Sequence, residues 1–248
     1  MSANYHFHEA DTDALFHIIG SADRDVLLDA GVTLGSEFLA PGDEEIEEEL
    51  FADEEKQEPG DWDYEEDKAT AARETLVKMV MSGLPPDLSE DEAYVVQDYF
   101  AAYARRSDQV HSVDADDLCG EIAEHHGEDT AATVRRYLTA GLPKEALADC
   151  VTCVHEAGAS PELVTRLQML LLGRLPEADE PTFTDIEEGE YSARFGYLHS
   201  AEAAQVADEM SGLAAGAGGE VAPVCHLMAA LMHSCAHHGR DLVTTIDE

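Results

Sequence analysis

The chain is short of positive charge: Lys and Arg total 14 against 54 Asp and Glu in 248 residues, a formal net charge of −40. Neighbouring basic residues occur only at Arg105-Arg106 and Arg135-Arg136. Phosphate backbones are held by clustered Lys and Arg, so no direct contact with nucleic-acid phosphates is expected. Long apolar runs are also missing, and nothing approaches the ~20 residues of a membrane helix. The opening MSANYHFHEADTDALF has no basic segment, which predicts no signal peptide. Five Cys is an odd number, and the expectation is reduced thiols in the cytoplasm.

Catalytic signatures are equally scarce. There is no Gly-x-Ser-x-Gly elbow and no His-Glu-x-x-His. No Cys has a Lys or Arg neighbour in sequence to activate it. Gly216-Ala217-Gly218-Gly219 follows a helical pattern rather than a strand and has no phosphate-binding Lys, which argues against a phosphate cradle. Paired carboxylates are so abundant that they single out no site.

What is present is enough for a core. Apolar residues make up 44%, and a chain of this length buries about three quarters of its unfolded surface. Spread over roughly 10,800 Å² of folded surface, the acids would stand roughly 14 Å apart. The Debye length is about 10 Å at 0.1 M salt and about 3 Å at 1 M. Repulsion among the acids should therefore act in dilute buffer and vanish in brine. Few Lys and many acids fit the cytoplasm of a halophile.

Along the chain, Tyr5-His6-Phe7-His8 alternates as a strand does, and Leu242–Ile246 reads as a closing strand beside it. Between them the period is helical. A short helix carries Leu15, Ile18 and Ile19, and Ser21 is expected to start another through Val26. From Ala69, a helix buries Leu76, Met79 and Val80. Ser89-Glu90-Asp91-Glu92 is a capping box, and Ser160-Pro161 is an N-cap with Pro at the first helical position. Gly127, Gly141, Gly158 and Gly173 stand where helices should stop. The predicted class is α+β and mostly helical, with helices packed around a small sheet that includes the N- and C-terminal strands. Residues 1–39 supply the first strand and short helices. Residues 40–67 hold 15 acids between Asp43 and Asp67 and read as a solvated insert or linker. Residues 68–248 form the helical body with its closing strand, making one domain with 1–39.

Several segments resemble a YfbM-like family. They are Asp11-Thr12-Asp13-Ala14-Leu15, Ile19-Gly20-Ser21-Ala22-Asp23 with Leu27-Leu28, and His155-Glu156-Ala157-Gly158. Leu170-Leu171-Leu172-Gly173-Arg174, Phe195-Gly196-Tyr197-Leu198 and Gly239-Arg240-Asp241-Leu242-Val243 complete the set. The resemblance implies a compact α+β fold with helices around a small sheet. The family carries no established activity, so it implies no catalytic residue.

Two function classes remain. The leading expectation is a non-enzymatic protein-binding or regulatory protein that neutralises a basic protein partner, with Ile46, Leu50, Phe51, Trp62 and Tyr64 as anchors in the acidic segment. The alternative is a His/Cys metal-binding protein or small metalloenzyme, with zinc as the ion. Its candidate ligands are Cys150, Cys153 and His155, joined by Cys225, His226, His233, Cys235 and His237. Helical spacing opposes a single site, because Cys225 and Cys235 share the apolar side of their helix while His226, His233 and His237 share the wetter one. A second candidate pair, His6 and His8, projects from one face of the first strand.

Overall fold

The computed structural model describes residues 4–23, 62–85, 87–184 and 194–247, together with Val26. Ile46, Leu50 and Phe51 lie outside them, as do the side chains of Trp62 and Tyr64 and most of the helix expected from Ser21. The chain divides into two compact units, one of Met1–Thr12 with Ser107–Glu248 and the other of Asp13–Arg106. The α+β class holds, with a five-stranded antiparallel sheet that pairs the first and last strands. Among the described residues no helix is long and apolar enough to cross a membrane.

The smaller unit takes most of α1 (Thr12–Phe16), then α2 (Trp62–Ser82) and α3 (Glu90–Ala104). Helix α2 starts at Trp62 rather than Ala69, so the end of the acidic segment is helical. Helix α3 begins with the expected capping box, in which Ser89 Oγ accepts from the Glu92 amide at 3.3 Å and Glu92 accepts from the Ser89 amide at 2.9 Å. The Gly20 amide donates to Met79 O at 2.9 Å, tying the segment after α1 to the end of α2. Phe16 meets Phe100 edge-on, with centroids 5.1 Å apart.

The larger unit carries the sheet. Its strands are β1 (Asn4–Ala10), β2 (Val110–Ser112), β3 (Leu142–Pro143), β4 (Phe195–Leu198) and β5 (Asp241–Asp247), ordered β2-β1-β5-β4 with β3 also pairing β1. Its helices are α4 (Ala115–His126), α5 (Glu128–Ala140), α6 (Lys144–Glu156), α7 (Pro161–Leu172), α8 (Ser200–Gly216) and α9 (Ala222–His238). Tyr5 and Phe7 point into the core while His6 and His8 are half-buried, the two-residue period of a strand with one covered face. Helix α9 is buried through Val224, Cys225, Leu227, Met228, Leu231, Met232 and Cys235. Each such apolar side chain contributes about 1.5–3 kcal/mol on burial. Packing of this kind holds the unit without disulfides.

Helix α7 docks on the sheet by its C-terminal end. The last carbonyls of a helix lack partners within it, and here the sheet supplies two. Tyr5 Oη donates to Leu171 O at 2.5 Å, and Thr244 Oγ1 donates to Leu170 O at 2.9 Å. Burial pushes the Tyr5 phenol well up, so it stays a neutral donor. Beyond α7, Arg174 donates to Glu202 through both terminal nitrogens, at 2.5 and 3.0 Å, and its guanidinium lies 4.5 Å from the Tyr197 ring centroid. Burial acts to raise the Glu202 carboxyl, but hydrogen bonds from Arg174 and the His199 amide outweigh it and hold the group below its usual range.

Strand β4 approaches α7 so closely that position 196 has no room for a side chain. A Cβ on Gly196 would stand 2.5 Å from Thr244 Oγ1, 2.6 Å from Met169 O and 2.8 Å from Leu170 Cα. Two of these obstacles are backbone and cannot rotate away. The Gly196→Ala variant should lose about 2 kcal/mol and about 6 °C in melting temperature. Calorimetry that finds it as stable as the parent would disprove this packing.

Candidate functional site

Helix α9 positions most of the candidate ligands. Consecutive residues on a helix point about 100° apart, so Cys225 and His226 look toward different neighbours. Cys225 meets α6, where Cys150 and Cys153 share one face at i, i+3 spacing. Cys150 Sγ lies 3.5 Å from Cys225 Sγ, and Cys153 and Cys225 line the same small cleft. His226 instead stacks on His126 at the end of α4, with centroids 3.6 Å apart and planes inclined by 25°.

Around that stacked pair lies a pocket of about 310 Å³. Its polar lining is Glu121, His125, His126, Ser211, His226 and His233, floored by Ala229 and Ala230. Glu121 and His125 stand one helical turn apart on α4, so both reach the same space. His233 Nε2 is 2.9 Å from Ser211 Oγ and 3.9 Å from Asp208 Oδ1. His125, His126 and His233 are exposed, and His226 is half-buried. Burial pushes the His226 imidazole below its ordinary value, and the facing His126 ring adds to that.

The remaining candidates are dispersed. The His6 ring packs at the spot where a Cβ on Gly141 would fall, and His8 Nε2 lies 3.4 Å from Thr245 Oγ1. His155 and His237 are exposed. Cys235 is fully buried, and burial together with the nearby Glu9 and Asp241 carboxylates pushes its thiol well up. The ten named ligands thus fall at several places, and the cysteines of α6 and the imidazoles of α9 do not meet. Among the described residues, no group of three or more His, Cys, Asp or Glu is already gathered around a point that could hold a metal ion.

His125 and His126 were not among the sequence candidates. They sit next to Gly127 at a helix end, where His is favoured by the terminal carbonyls alone. Only the packing of α4 against α9 turns them toward His226. A third polar cluster also escaped the sequence reading. Asp241 accepts from the Thr12 hydroxyl and from the Ser200 amide at 2.8 Å, with His199 Nδ1 3.3 Å away. Its carboxylate thereby serves the N-termini of α1 and α8, where negative charge is stabilising.

No family model, curated protein or solved structure matches this chain.

Protonating the His226 ring costs more in the folded chain than in the unfolded one. Its contribution to stability is therefore present above the unfolded value and lost as pH falls toward the folded one. In paired thermal melts, the difference in melting temperature between wild type and His226→Gln should shift in favour of the wild type as pH rises from about 5 to about 7. A difference that stays constant with pH refutes the burial assigned to this ring.

Proposed function

We propose that the protein is a metal-binding regulatory protein adapted to a salt-rich cytoplasm. Its site is the pocket of Glu121, His125, His126, His226 and His233, and its ion is zinc. The observation that carries this reading is the convergence of four imidazoles on one pocket from two helices. Neutral imidazole is a preferred zinc ligand, whereas the carboxylates elsewhere on the surface suit Mg²⁺ and Ca²⁺. Three of the four rings are exposed, so rotation about their side-chain bonds can bring them to an ion at little packing cost. The net charge of −40 raises the local concentration of cations around the fold.

The pocket's volume of about 310 Å³ is several times the roughly 30 Å³ share of one water. An ion bound there would keep an open position for water or a small ligand. The pocket also shifts the balance between the two classes left by the sequence. Binding of a basic partner through Ile46, Leu50 and Phe51 involves residues outside those described, while the four imidazoles are described and line one pocket.

The test is calorimetric titration of untagged, chelator-treated, full-length protein with zinc chloride at about 2 M KCl, where screening suppresses loose carboxylate binding. One ion per chain is expected. The paired variant His126→Ala, His226→Ala should weaken binding at least about tenfold, and Cys150→Ser should leave it unchanged. Uptake below about 0.1 zinc per chain overturns the reading.

A further inference from the structure

The three cysteines Cys150, Cys153 and Cys225 of α6 and α9 form a cluster separate from the imidazole pocket. Cysteines that merely fill a core need only apolar neighbours. Here Cys150 and Cys225 touch, sulfur to sulfur, at 3.5 Å, and neither has any exposed surface. Cys153 is half-exposed and sits at a cleft of about 160 Å³ lined also by Val154, Gly212, Leu213, Gly216 and Cys225. Glycine at positions 212 and 216 keeps the α8 wall of this cleft thin, with nothing within 4 Å of where either Cβ would stand. A reagent entering the cleft therefore meets Cys153 first, with Cys225 behind it and Cys150 behind that.

We propose that Cys153, Cys225 and Cys150 form a thiol relay that consumes a low-molecular-weight disulfide and leaves a buried disulfide joining α6 to α9. The Cys153 thiolate attacks one sulfur of the reagent RS–SR. That S–S bond breaks, one RS⁻ leaves and takes a proton, and Cys153 is left in a mixed disulfide with R. The Cys225 thiolate then attacks Cys153 Sγ, expels the second RS⁻, and forms the Cys153–Cys225 disulfide. Finally the Cys150 thiolate attacks Cys225 Sγ, forms Cys150–Cys225, and returns Cys153 as a thiol. Two protein thiols are oxidised and one RSSR is reduced to two RSH.

The geometry suits each step. The contact with Cys150 holds the Cys225 thiol below the ordinary range, which favours it as a nucleophile. The contact with Cys225 and burial push the Cys150 thiol well up, so it reacts last. Closing from 3.5 Å to a bond of about 2.05 Å needs only a small approach of two packed helices. Burial and the nearby Glu156 carboxylate push the Cys153 thiol up, which makes the first attack the slow step, and the acidic surface repels anionic reagents there. A cationic disulfide is the favoured class.

The experiment treats reduced full-length protein with about one molar equivalent of cystamine, a cationic disulfide, so that the returned Cys153 thiol meets no second reagent molecule. Free thiols counted after denaturation should fall from five by two, and peptide mapping should recover the Cys150–Cys225 crosslink. Cys153→Ser, a change at the half-exposed position, should slow thiol loss at least about tenfold at unchanged fold by circular dichroism. Cys225→Ser should stop at the cysteamine adduct of Cys153. The relay is overturned if wild-type protein ends as that same adduct, if all thiols survive, or if Cys153→Ser reacts at the parent rate.

Discussion

Like-charge repulsion among the surface carboxylates is the constraint against which this fold is built. With 54 acids and 14 Lys and Arg, most acids have no cation to pair with. Among the described residues Glu9 is the one buried carboxylate, and it is held by Ser234, His238 and Arg240 at 2.9, 3.2 and 3.5 Å. Apart from the buried Arg174 and Arg194, the interior is closed mainly by neutral groups: leucine, methionine, cysteine and tyrosine along α7, α9 and the sheet. Exposed ion pairs such as Arg135–Asp116 contribute little against such a field. Apolar packing is left to supply the stability that repulsion removes.

That division of labour explains where chemistry can gather. Carboxylates on such a surface are too numerous and too hydrated to define a site, so discrimination falls to groups that are neutral near pH 7. Helix α9 carries them on different sides. Its thiol at position 225 turns to α6 and its imidazole at 226 turns to α4, while the residues between them and Cys235 bury the core. One helix thus presents a soft sulfur cluster and an imidazole pocket to separate neighbours.

The local chemistry of the sequence was legible wherever a single residue sets the backbone. Ser89 and Ser160 cap the helices they were expected to cap. Gly127, Gly141, Gly158 and Gly173 all take positive φ at helix ends, a conformation open to glycine and costly for other residues. The pairing of the terminal strands was also visible, because β1 alternates clearly. Strands β2 and β3 were not: at three and two residues they are too short to show a period. Strand β4 is buried at all four positions, so it shows no alternation to read. The start of α2 was hidden by its charge, since a dense acidic run resembles a linker. The clusters were hidden for a different reason. Cys150 and Cys225 are 75 residues apart, and His126 meets His226 only through helix packing, which no spacing along the chain encodes.

If surface repulsion opposes a fold held by neutral packing, screening alone should strengthen the protein. The direct measurement is the melting temperature of the metal-free, reduced chain as KCl rises from about 0.1 to about 2 M, over which the Debye length shrinks from about 10 Å to below 3 Å. The account predicts a rise that is steepest at low salt and levels off once the carboxylates no longer sense one another. A melting temperature that is flat, or that falls, across this range would contradict it.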